Sequence, residues 1–409
     1  MTSNGEHIPS AGGLVVAKGS FAAMGGAERD LMRNLPAFAR KFSVSVATLH
    51  SVPELESLCS DLGVPLISPD EVWEMPTDAL STVFDSGNDT AAKAWQGCSG
   101  LSETLAASDA VHLVSGDGSL ALLEYVPDSM AVHLHLLEPH RGLHEDVLHR
   151  EIDGSPKRSL GLTSALLSRA RRRDIEAIRG LTDRPCSAIS GNSSYTAARI
   201  GEVYGVEAGV LLPSVVSDEF PAKAGSNEPT GSQDIGAPYS VSVGRASWVK
   251  GTWETISMLA GSGVSLAHVG GGAAEDLVRL THHAESCGVG LWIAPRLSSP
   301  EMASLIRGAR AVVSMAHGEP FGLTPVEAFS VGTPALMVNE GGFLDSVIDG
   351  VNGRLLPRSD YGAWHSALEQ AADSGTRALW TEAGRAQIAE MGLSPDTHCH
   401  RLESILDCL

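Results

Sequence analysis

The chain has little of what marks a secreted, membrane-spanning or metal-stapled protein. Its six cysteines are scattered without any CxxC spacing, so reduced thiols in a cytoplasmic protein are the simplest expectation. No run of 18 or more apolar residues occurs, which predicts that the chain does not span a membrane. Residues 1–13 lack a charged start followed by an apolar core, so no secretory signal is predicted.

Positive charge is also scarce. The formal net charge of −20 disfavours nucleic acid and anionic membranes as partners. A small basic cluster, Arg169 with residues 171–173, is followed by Asp174 and Glu176, which is typical of a helix face with internal ion pairs. The chain contains no Asp-x-Asp motif, so we predict no divalent metal and no cofactor.

What the chain does have is a regular alternation of short apolar runs and helical segments, which predicts parallel α/β sheets covered on both faces. The 409 residues suffice for two such domains. We predict a first domain over residues 1–215, a linker rich in Gly, Ser, Pro and Asn over 216–238, and a second domain over 239–392. The predicted strands are residues 14–17, 44–49, 110–114, 131–135, 186–190, 239–243, 265–269, 291–293, 311–316 and 335–338.

The most informative segment reads Glu-Pro-Phe-Gly-Leu-Thr-Pro-Val-Glu-Ala over residues 319–328. It follows a predicted strand and leads into a predicted helix, with Thr324 as N-cap, Pro325 as first helical residue and Glu327 completing a capping box. A helix start beside a glycine suits a phosphate, and two nearby carboxylates can hold sugar hydroxyls. Taken singly, Glu327 also fits a purely capping role, and Glu319 also fits an ordinary solvated loop carboxylate.

The pair Glu319 and Glu327 is separated by seven residues that include Phe-Gly-Leu. It resembles the E-x7-E signature of retaining glycosyltransferases of family 4. The resemblance implies the GT-B fold, in which two doubly wound Rossmann-like domains face each other across a cleft. It also implies that Glu319 contacts the donor sugar and Glu327 the ribose hydroxyls. The donor phosphate would then be bound by the backbone amides of Gly322, Leu323 and Thr324.

Two cations follow the strand predicted at residues 239–243. Arg245 and Lys250 lie within Gly-Arg-Ala-Ser-Trp-Val-Lys-Gly, which resembles the family's segment whose cations neutralise the departing diphosphate. Without that context, solvated surface cations are the simpler interpretation. An enzyme without a metal needs fixed cations for this role, so the missing Asp-x-Asp motif and this segment fit each other.

Three further positions are candidates for the donor side of the site. Gly25 and Gly26 begin a Gly-Gly-Ala-Glu segment that is similar to the family's loop near the donor phosphate, although an ordinary glycine turn is the alternative. Arg296 lies in a segment that resembles the loop framing the nucleotide base.

The glycines at 270–272 do not follow the G-x-G-x-x-G spacing, so NAD binding is a distant alternative.

Five histidines crowd residues 133–149. Many family members place a histidine near the reacting sugar carbon after the equivalent strand, which makes His135 our first candidate, with His133 and His140 as rivals. A structural histidine is the alternative for His135. Zinc is disfavoured because only His140 and His144 have the i, i+4 spacing of helical ligands.

These features together predict a cytoplasmic enzyme that moves a sugar from a nucleoside diphosphate sugar to a soluble hydroxyl acceptor, with retention of configuration and without a metal. The alternatives are a non-catalytic nucleotide-sugar-binding protein and a GT-B epimerase or phosphorylase. By the same resemblance, the helical tail at 393–409 is expected to pack back on the first domain. The residues leave the donor base, the sugar, the acceptor and the oligomeric state open.

Overall fold

The computed structural model describes residues 12–76, 86–215, 231 and 235–409. The chain divides into two units. The first comprises Met1–His144, Gly161–Val215 and Leu393–Leu409, and the second comprises Glu145–Leu160 and Val216–Gly392. Most of the predicted linker at 216–238 lies outside the described residues. None of the described helices combines the length and apolar character needed to cross a bilayer.

The first unit contains a seven-stranded parallel sheet in the order β3-β2-β1-β4-β5-β6-β7. Its central strands are buried on both faces, which explains why they are mainly apolar rather than alternating, apart from the buried His112, His133 and His135. The strands are β1 (Gly13–Ala17), β2 (Ser43–Ala47), β3 (Leu66–Ile67), β4 (Ala110–Val114), β5 (Ala131–His135), β6 (Ser187–Gly191) and β7 (Gly209–Val210). The helices are α1 (Gly26–Lys41), α2 (Pro53–Leu62), α3 (Ser86–Gln96), α4 (Leu101–Ala106), α5 (Arg141–His144), α6 (Leu160–Leu166), α7 (Ser168–Thr182) and α8 (Ser194–Tyr204).

The second unit contains a six-stranded parallel sheet in the order β10-β9-β8-β11-β12-β13. One apolar core joins the sheet to the helices around it. The strands are β8 (Tyr239–Val243), β9 (Ser265–Val269), β10 (Leu291–Ile293), β11 (Val312–Ser314), β12 (Ala335–Val338) and β13 (Gly353–Leu356). The helices are α9 (Thr252–Leu259), α10 (Ala274–Cys287), α11 (Ser299–Gly308), α12 (Leu323–Val331), α13 (Phe343–Ser346), α14 (Tyr361–Ala372) and α15 (Ser374–Met391).

Each sheet has a point where the strand order reverses. In the first unit the chain runs from β1 outward to β3 and then returns to place β4 on the other side of β1. The second unit repeats this arrangement, with β8 and β11 as neighbours. Open parallel sheets bind ligands beyond the carboxyl ends of their strands at such reversal points. The loops after β1, β4, β8 and β11 are therefore where a site is expected.

The last helix, α16 (Pro395–Leu406), belongs to the first unit. Its Leu402 is fully buried, and Lys41 at the end of α1 pairs with Glu403 at 2.7 Å. Ser394 caps the helix by accepting the N–H of Thr397. The tail is thus an integral part of the first unit's core, as the family resemblance implied.

Three local predictions need correction. Helix α12 begins at Leu323 with Gly322 as its N-cap, and no side chain caps it. The assignment of Thr324 as N-cap in a capping box with Glu327 is therefore wrong. Gly322 adopts φ +80°, a conformation open to glycine, and this lets the helix start earlier than the sequence pattern indicated.

The strand predicted over 311–316 is shorter, at Val312–Ser314, whereas the strands predicted at 239–243, 265–269 and 335–338 are confirmed.

The third correction concerns residues Glu145–Leu160. The sequence assigned them to the first domain because strand and helix signals continue on both sides of them. They pack instead with the second unit, where Ile152 is 2% exposed within the apolar core. Nothing in the local pattern distinguishes a segment that crosses to another unit from an ordinary loop.

Candidate active site

Lys250 and Glu319 form the centre of the candidate site in the second unit. Lys250 follows β8 and Glu319 follows β11, so both lie beyond the carboxyl ends of strands at the reversal point. Lys250 Nζ lies 2.6 Å from Glu319 Oε2, with the two side chains 33% and 18% exposed. Gly244 adopts φ +140°, and a Cβ there would lie 3.2 Å from the lysine side chain. The glycine therefore leaves room for Lys250 to reach the carboxylate.

The start of α12 lies next to this pair along the chain. Its N-cap is Gly322, which has no side chain with which to cap the first backbone N–H groups of the helix. A Cβ on Gly322 would lie 2.5 Å from the ring of Phe343, which makes glycine necessary there. Leu323, Thr324 and Glu327 are each half-buried. The arrangement offers an anion the positive end of the helix dipole.

A second loop fixes the backbone of Glu319. Gly341 and Gly342 follow β12, and Gly342 N–H donates to the Glu319 carbonyl at 2.7 Å. A Cβ on Gly341 would lie 2.7 Å from Glu319 N, so the two loops are in direct contact. This close approach explains the paired glycines that the sequence contains at this point.

Arg245 and Arg296 are both exposed, after β8 and β10 respectively. The turn carrying Arg245 is joined to the glycine turn after β9, because Ala246 N–H donates to the Gly271 carbonyl at 2.7 Å. Both arginines therefore lie on the same sheet edge as Lys250, since all the strands are parallel.

Sequence reasoning missed a half-buried polar network at this edge. His317 Nε2 lies 2.6 Å from Glu254 Oε2, and Arg358 donates to the same carboxylate at 3.0 Å. Arg358 also donates to the carbonyl of Met315 at 2.6 Å and pairs with Glu340 at 2.7 Å. The members come from four different loops and helix ends, so no local signal in the sequence connects them.

In the first unit, the glycine segment forms the start of α1. Gly25 N–H donates to Glu28 Oε2 at 2.7 Å, and the other oxygen of Glu28 pairs with Lys18 Nζ at 3.2 Å. Lys18 also donates to the carbonyl of Ser115 at 3.0 Å. Gly26 faces open space. A buried ion pair that sequence reasoning missed thus holds the Gly25 loop at the β1/β4 reversal point.

The structure places His135 in the core rather than at an accessible surface. Its side chain is 1% exposed, and its Nε2–H donates to the carbonyl of Leu211 at 3.1 Å. Burial holds the pKa of His135 well below its usual range, so the ring is neutral. His133 is equally buried, with Nε2 3.0 Å from Ser190 Oγ. His135 and His133 therefore offer a substrate very little surface, and a role for either in the site stays a prediction.

His140, the third candidate, is exposed at the start of α5. Its backbone N–H donates to the hydroxyl of Tyr204 at 3.2 Å, and that hydroxyl donates to Asp174 at 2.9 Å. Asp174 also lies 2.7 Å from Nε2 of His144. Buried partners therefore fix the backbone of the His140 loop while its own side chain faces solvent. Among the described residues, no group of three or more His, Cys, Asp or Glu side chains is arranged to hold a metal ion.

Comparison with known proteins identifies the class of the second unit. Residues 231–387 match the family described as Glycosyl transferases group 1, a range that includes Arg245, Lys250, Glu319 and Glu327. The prediction of a glycosyltransferase domain is therefore confirmed for this part of the chain. The whole chain shares its fold with GT-B structures, so the predicted fold class is confirmed as well.

Particular solved structures share the fold of this chain. Sucrose-phosphate synthase from Thermosynechococcus elongatus aligns with 96% of this chain and 98% of its own at a TM-score of 0.69 and 15% identity. HepE from Anabaena, in a complex with UDP and glucose, aligns with 98% of this chain and 100% of its own at a TM-score of 0.67 and 15% identity. At such identities the likeness establishes the fold alone.

Curated relatives share more sequence over a shorter length. The D-inositol 3-phosphate glycosyltransferase of Xylanimonas cellulosilytica is 31% identical over 198 residues, which cover 46% of each chain. D-inositol 3-phosphate glycosyltransferase 1 of Catenulispora acidiphila is 33% identical over 129 residues, 30% of this chain and 31% of its own. The chain thus matches less than half the length of these relatives.

Proposed function

We propose that the protein is a family 4 retaining glycosyltransferase that moves a sugar from a nucleoside diphosphate sugar to a soluble hydroxyl acceptor without a metal ion. The observation that carries the proposal is the Lys250–Glu319 pair at 2.6 Å, one loop away from the uncapped start of α12. An ammonium group and free helix amides suit the diphosphate of a donor. The adjacent carboxylate suits the hydroxyls of its sugar.

The chemistry of this arrangement is stabilisation of a leaving group. When the bond between the sugar carbon and the diphosphate breaks, negative charge accumulates on the diphosphate oxygens. Lys250 and the N–H groups of Leu323 and Thr324 are fixed before the reaction, so they stabilise this charge without reorganisation, and the exposed Arg245 adds a further cation on the same sheet edge. An ammonium group has three donors, so Lys250 can keep its bond to Glu319 while it contacts a phosphate.

The remaining donor contacts extend the same scheme. Glu319 orients the sugar, Glu327 takes the ribose hydroxyls and Arg296 lies beside the base. By the family resemblance, Gly25 and Gly26 of the first unit are also proposed as donor-binding residues. His140 replaces His135 as the histidine that contacts the donor or acceptor, because its side chain faces solvent.

Glu319→Gln tests the central pair. We expect kcat/KM for transfer to fall about 100- to 1000-fold. The neutral amide of glutamine binds the sugar hydroxyls and the ammonium group of Lys250 more weakly than the carboxylate does. Stability should change by about 1 kcal/mol or less, since the pair is partly exposed. The measurement is release of nucleoside diphosphate from a donor, with thermal unfolding as the control for folding. Unchanged turnover would remove Glu319 from the mechanism.

The donor class is tested by thermal shift with UDP, GDP, ADP and dTDP. A ligand at 100 times its Kd stabilises the folded state by about 2.7 kcal/mol, which is easily detected. UDP and UDP-glucose are the first choices because HepE was crystallised with UDP and glucose. Inositol phosphate is the first acceptor to test, because the curated relatives carry that acceptor in their names. Binding without turnover of any donor would favour a non-catalytic binding protein.

Retention and metal independence each have a direct measurement. Proton NMR of the first product formed gives the anomeric configuration before any later change, and an inverted product would contradict retention. Activity in excess EDTA should equal activity with added Mg²⁺, because Arg245 and Lys250 supply the positive charge. Conversion of a donor incubated without acceptor, or a requirement for inorganic phosphate, would point to an epimerase or a phosphorylase instead.

A further inference from the structure

Residues Glu145–Leu160 form a compact segment, here called the strap, that packs on the second unit although both flanking stretches belong to the first. The strap is internally hydrogen-bonded. Glu151 N–H donates to Ser155 O at 2.8 Å, Lys157 N–H donates to His149 O at 2.9 Å, and Arg150 donates to Gly154 O at 2.8 Å. The strap is therefore a defined structural element rather than a loose connection.

Two kinds of contact fix the strap to the second unit. Ile152 is 2% exposed and belongs to that unit's apolar core. On either side of it, Glu151 and Asp153 both pair with Arg279 of α10, at 3.3 Å and 2.6 Å. An apolar anchor flanked by ion pairs sets both the depth and the register at which the strap docks.

The docked strap presses Gly154 against Trp248. Gly154 adopts φ +82°, and a Cβ on it would lie 2.6 Å from Cη2 of the indole ring. The same indole stacks on the imidazole of His317, with ring centroids 4.7 Å apart. Trp248 thus contacts the strap and the loop after β11 at once, and only a residue without a side chain fits where the strap meets it.

Trp248 begins the short helical turn Trp248–Lys250, so its position decides where Lys250 lies. The turn is fixed at its other side by His317, whose N–H donates to the carbonyl of Val249 at 2.8 Å. His317 in turn is held by Glu254 at 2.6 Å. The strap adds a further contact to the indole of Trp248, at Gly154.

We propose that the strap is a positioning element for the donor site, in which Gly154 and Arg279 act through Trp248 to hold the ammonium group of Lys250 in place for the donor diphosphate. The expected effect on donor binding and turnover rests on the proposed function. Its structural part, that the strap orders the turn Trp248–Lys250, stands independently of the ligand. Neither Gly154 nor Arg279 needs to touch the substrate.

Gly154→Ala is the first test, with Gly261→Ala as its matched control. Gly261 adopts φ +76° in the same unit, and a Cβ there would meet nothing within 4 Å. Both variants carry the backbone strain of alanine at positive φ, but only Gly154→Ala forces the strap away from Trp248. We expect kcat/KM for the donor to fall about 10- to 100-fold in Gly154→Ala and to stay near the wild-type value in Gly261→Ala.

A charge exchange provides the second test. Arg279→Glu and Asp153→Arg each replace an attractive pair by a repulsive one, so each should lower kcat/KM and speed tryptic cleavage at Lys157 or Arg158. The double variant restores an attractive pair between positions 153 and 279, whereas Glu151 then meets a like charge, so part of both losses should be recovered. Recovery separates docking of the strap from a simple effect of charge near the donor. Single variants that behave as the wild type, or a double variant no better than the singles, would overturn the proposal.

Hydrogen exchange of the peptide containing Trp248–Lys250 distinguishes failure of this inference from failure of the proposed function. Exchange should be faster in Gly154→Ala than in Gly261→Ala with no ligand present, and equal rates would overturn the proposal. Faster exchange in Gly154→Ala, together with a wild type that binds none of UDP, GDP, ADP and dTDP, would support the positioning role of the strap and refute the proposed donor. Equal binding of one of these diphosphates by wild type and Gly154→Ala would refute the inference and leave the proposed function standing.

Discussion

At the scale of single residues, the candidate site depends on side chains that are buried just enough to be fixed. Lys250 and Glu319 are each partly exposed, so they can meet a ligand, yet each is held by a partner at 2.6 Å. A fully exposed lysine would lose its rotamer freedom only on binding and would bind a phosphate less tightly for that reason. Pairing before binding therefore favours a preorganised site.

The two histidines at 135 and 140 give a prediction at this scale. His140→Ala should lower kcat about 100-fold, as expected for loss of a group that transfers or holds a proton at the site. It should leave the free energy of unfolding within about 0.5 kcal/mol, because the side chain is exposed. Activity assays and urea unfolding on the same preparation measure both effects.

His135→Ala serves as the matched control, and the opposite pattern is expected. The variant leaves the buried carbonyl of Leu211 without its donor, which costs about 1–3 kcal/mol of folding free energy. Folded His135→Ala should retain activity, since the imidazole is only 1% exposed. Full activity of His140→Ala, or loss of activity without loss of stability in His135→Ala, would reverse the assignment made here.

At the scale of elements, the C-terminal helix α16 contributes to a sheet from which it is far removed in sequence. Leu402 is fully buried in the first unit beside residues of α1 and β2. Its burial explains why a helix that follows the entire second unit is ordered.

Leu402→Ala should therefore destabilise the first unit by about 2–5 kcal/mol, because it removes buried methyl groups and leaves a cavity. Leu379→Ala is the control, since Leu379 on α15 is 68% exposed and its truncation should be nearly neutral. Hydrogen exchange measured at increasing temperature identifies which unit unfolds first. A lowered transition in peptides of the second unit alone would contradict the assignment of α16 to the first unit.

Helix α12 illustrates a second kind of element, one whose start is set by a glycine. The sequence pattern placed the helix start at Thr324, because Ser and Thr are favoured caps. Gly322 takes the cap position instead, where its conformation brings the chain against Phe343. Tertiary contact thus overrides capping preference and leaves the helix amides without a side-chain cap.

At the scale of the whole molecule, pH is expected to control stability through histidines inside the first unit. The rings of His112, His133, His135 and His398 lie together, and Nδ1 of His112 is 2.9 Å from Nδ1 of His133. Burial lowers the pKa of His133 to about 3 and the pKa values of the other three below their usual range. Asp30 faces His398 and favours its protonated form, whereas Arg401 opposes it, and burial dominates both.

The sign of the effect follows from these shifts. Below about pH 6.5 the unfolded chain takes up protons on these histidines and the folded chain does not, so stability decreases as the pH is lowered. Each such histidine contributes about 1.4 kcal/mol per pH unit once its unfolded form is protonated. Urea unfolding between pH 7.5 and 5 measures the slope. His133→Gln should reduce that slope by about one proton, and an unchanged slope would contradict the assignment.

The sequence by itself determined the strands and the sheet edge that carries the candidate site. Residues 239–243, 265–269 and 335–338 form strands as predicted, because each is a short run of mainly apolar residues, as a doubly covered parallel sheet requires. Lys250 and Glu319 were placed after such strands for the same local reason. Signals of this kind are contained in a few consecutive residues, and no distant partner is needed to produce them.

Only the tertiary structure decided which of these residues meet. Lys250 and Glu319 are 69 positions apart, and Arg358 and Glu254 are 104 apart. The burial of His135, the docking of the strap and the helix start at Gly322 likewise depend on Leu211, Trp248 and Phe343, which lie elsewhere in the chain. Packing fixes such contacts through shape and desolvation, and these properties arise from the folded arrangement rather than from any one segment.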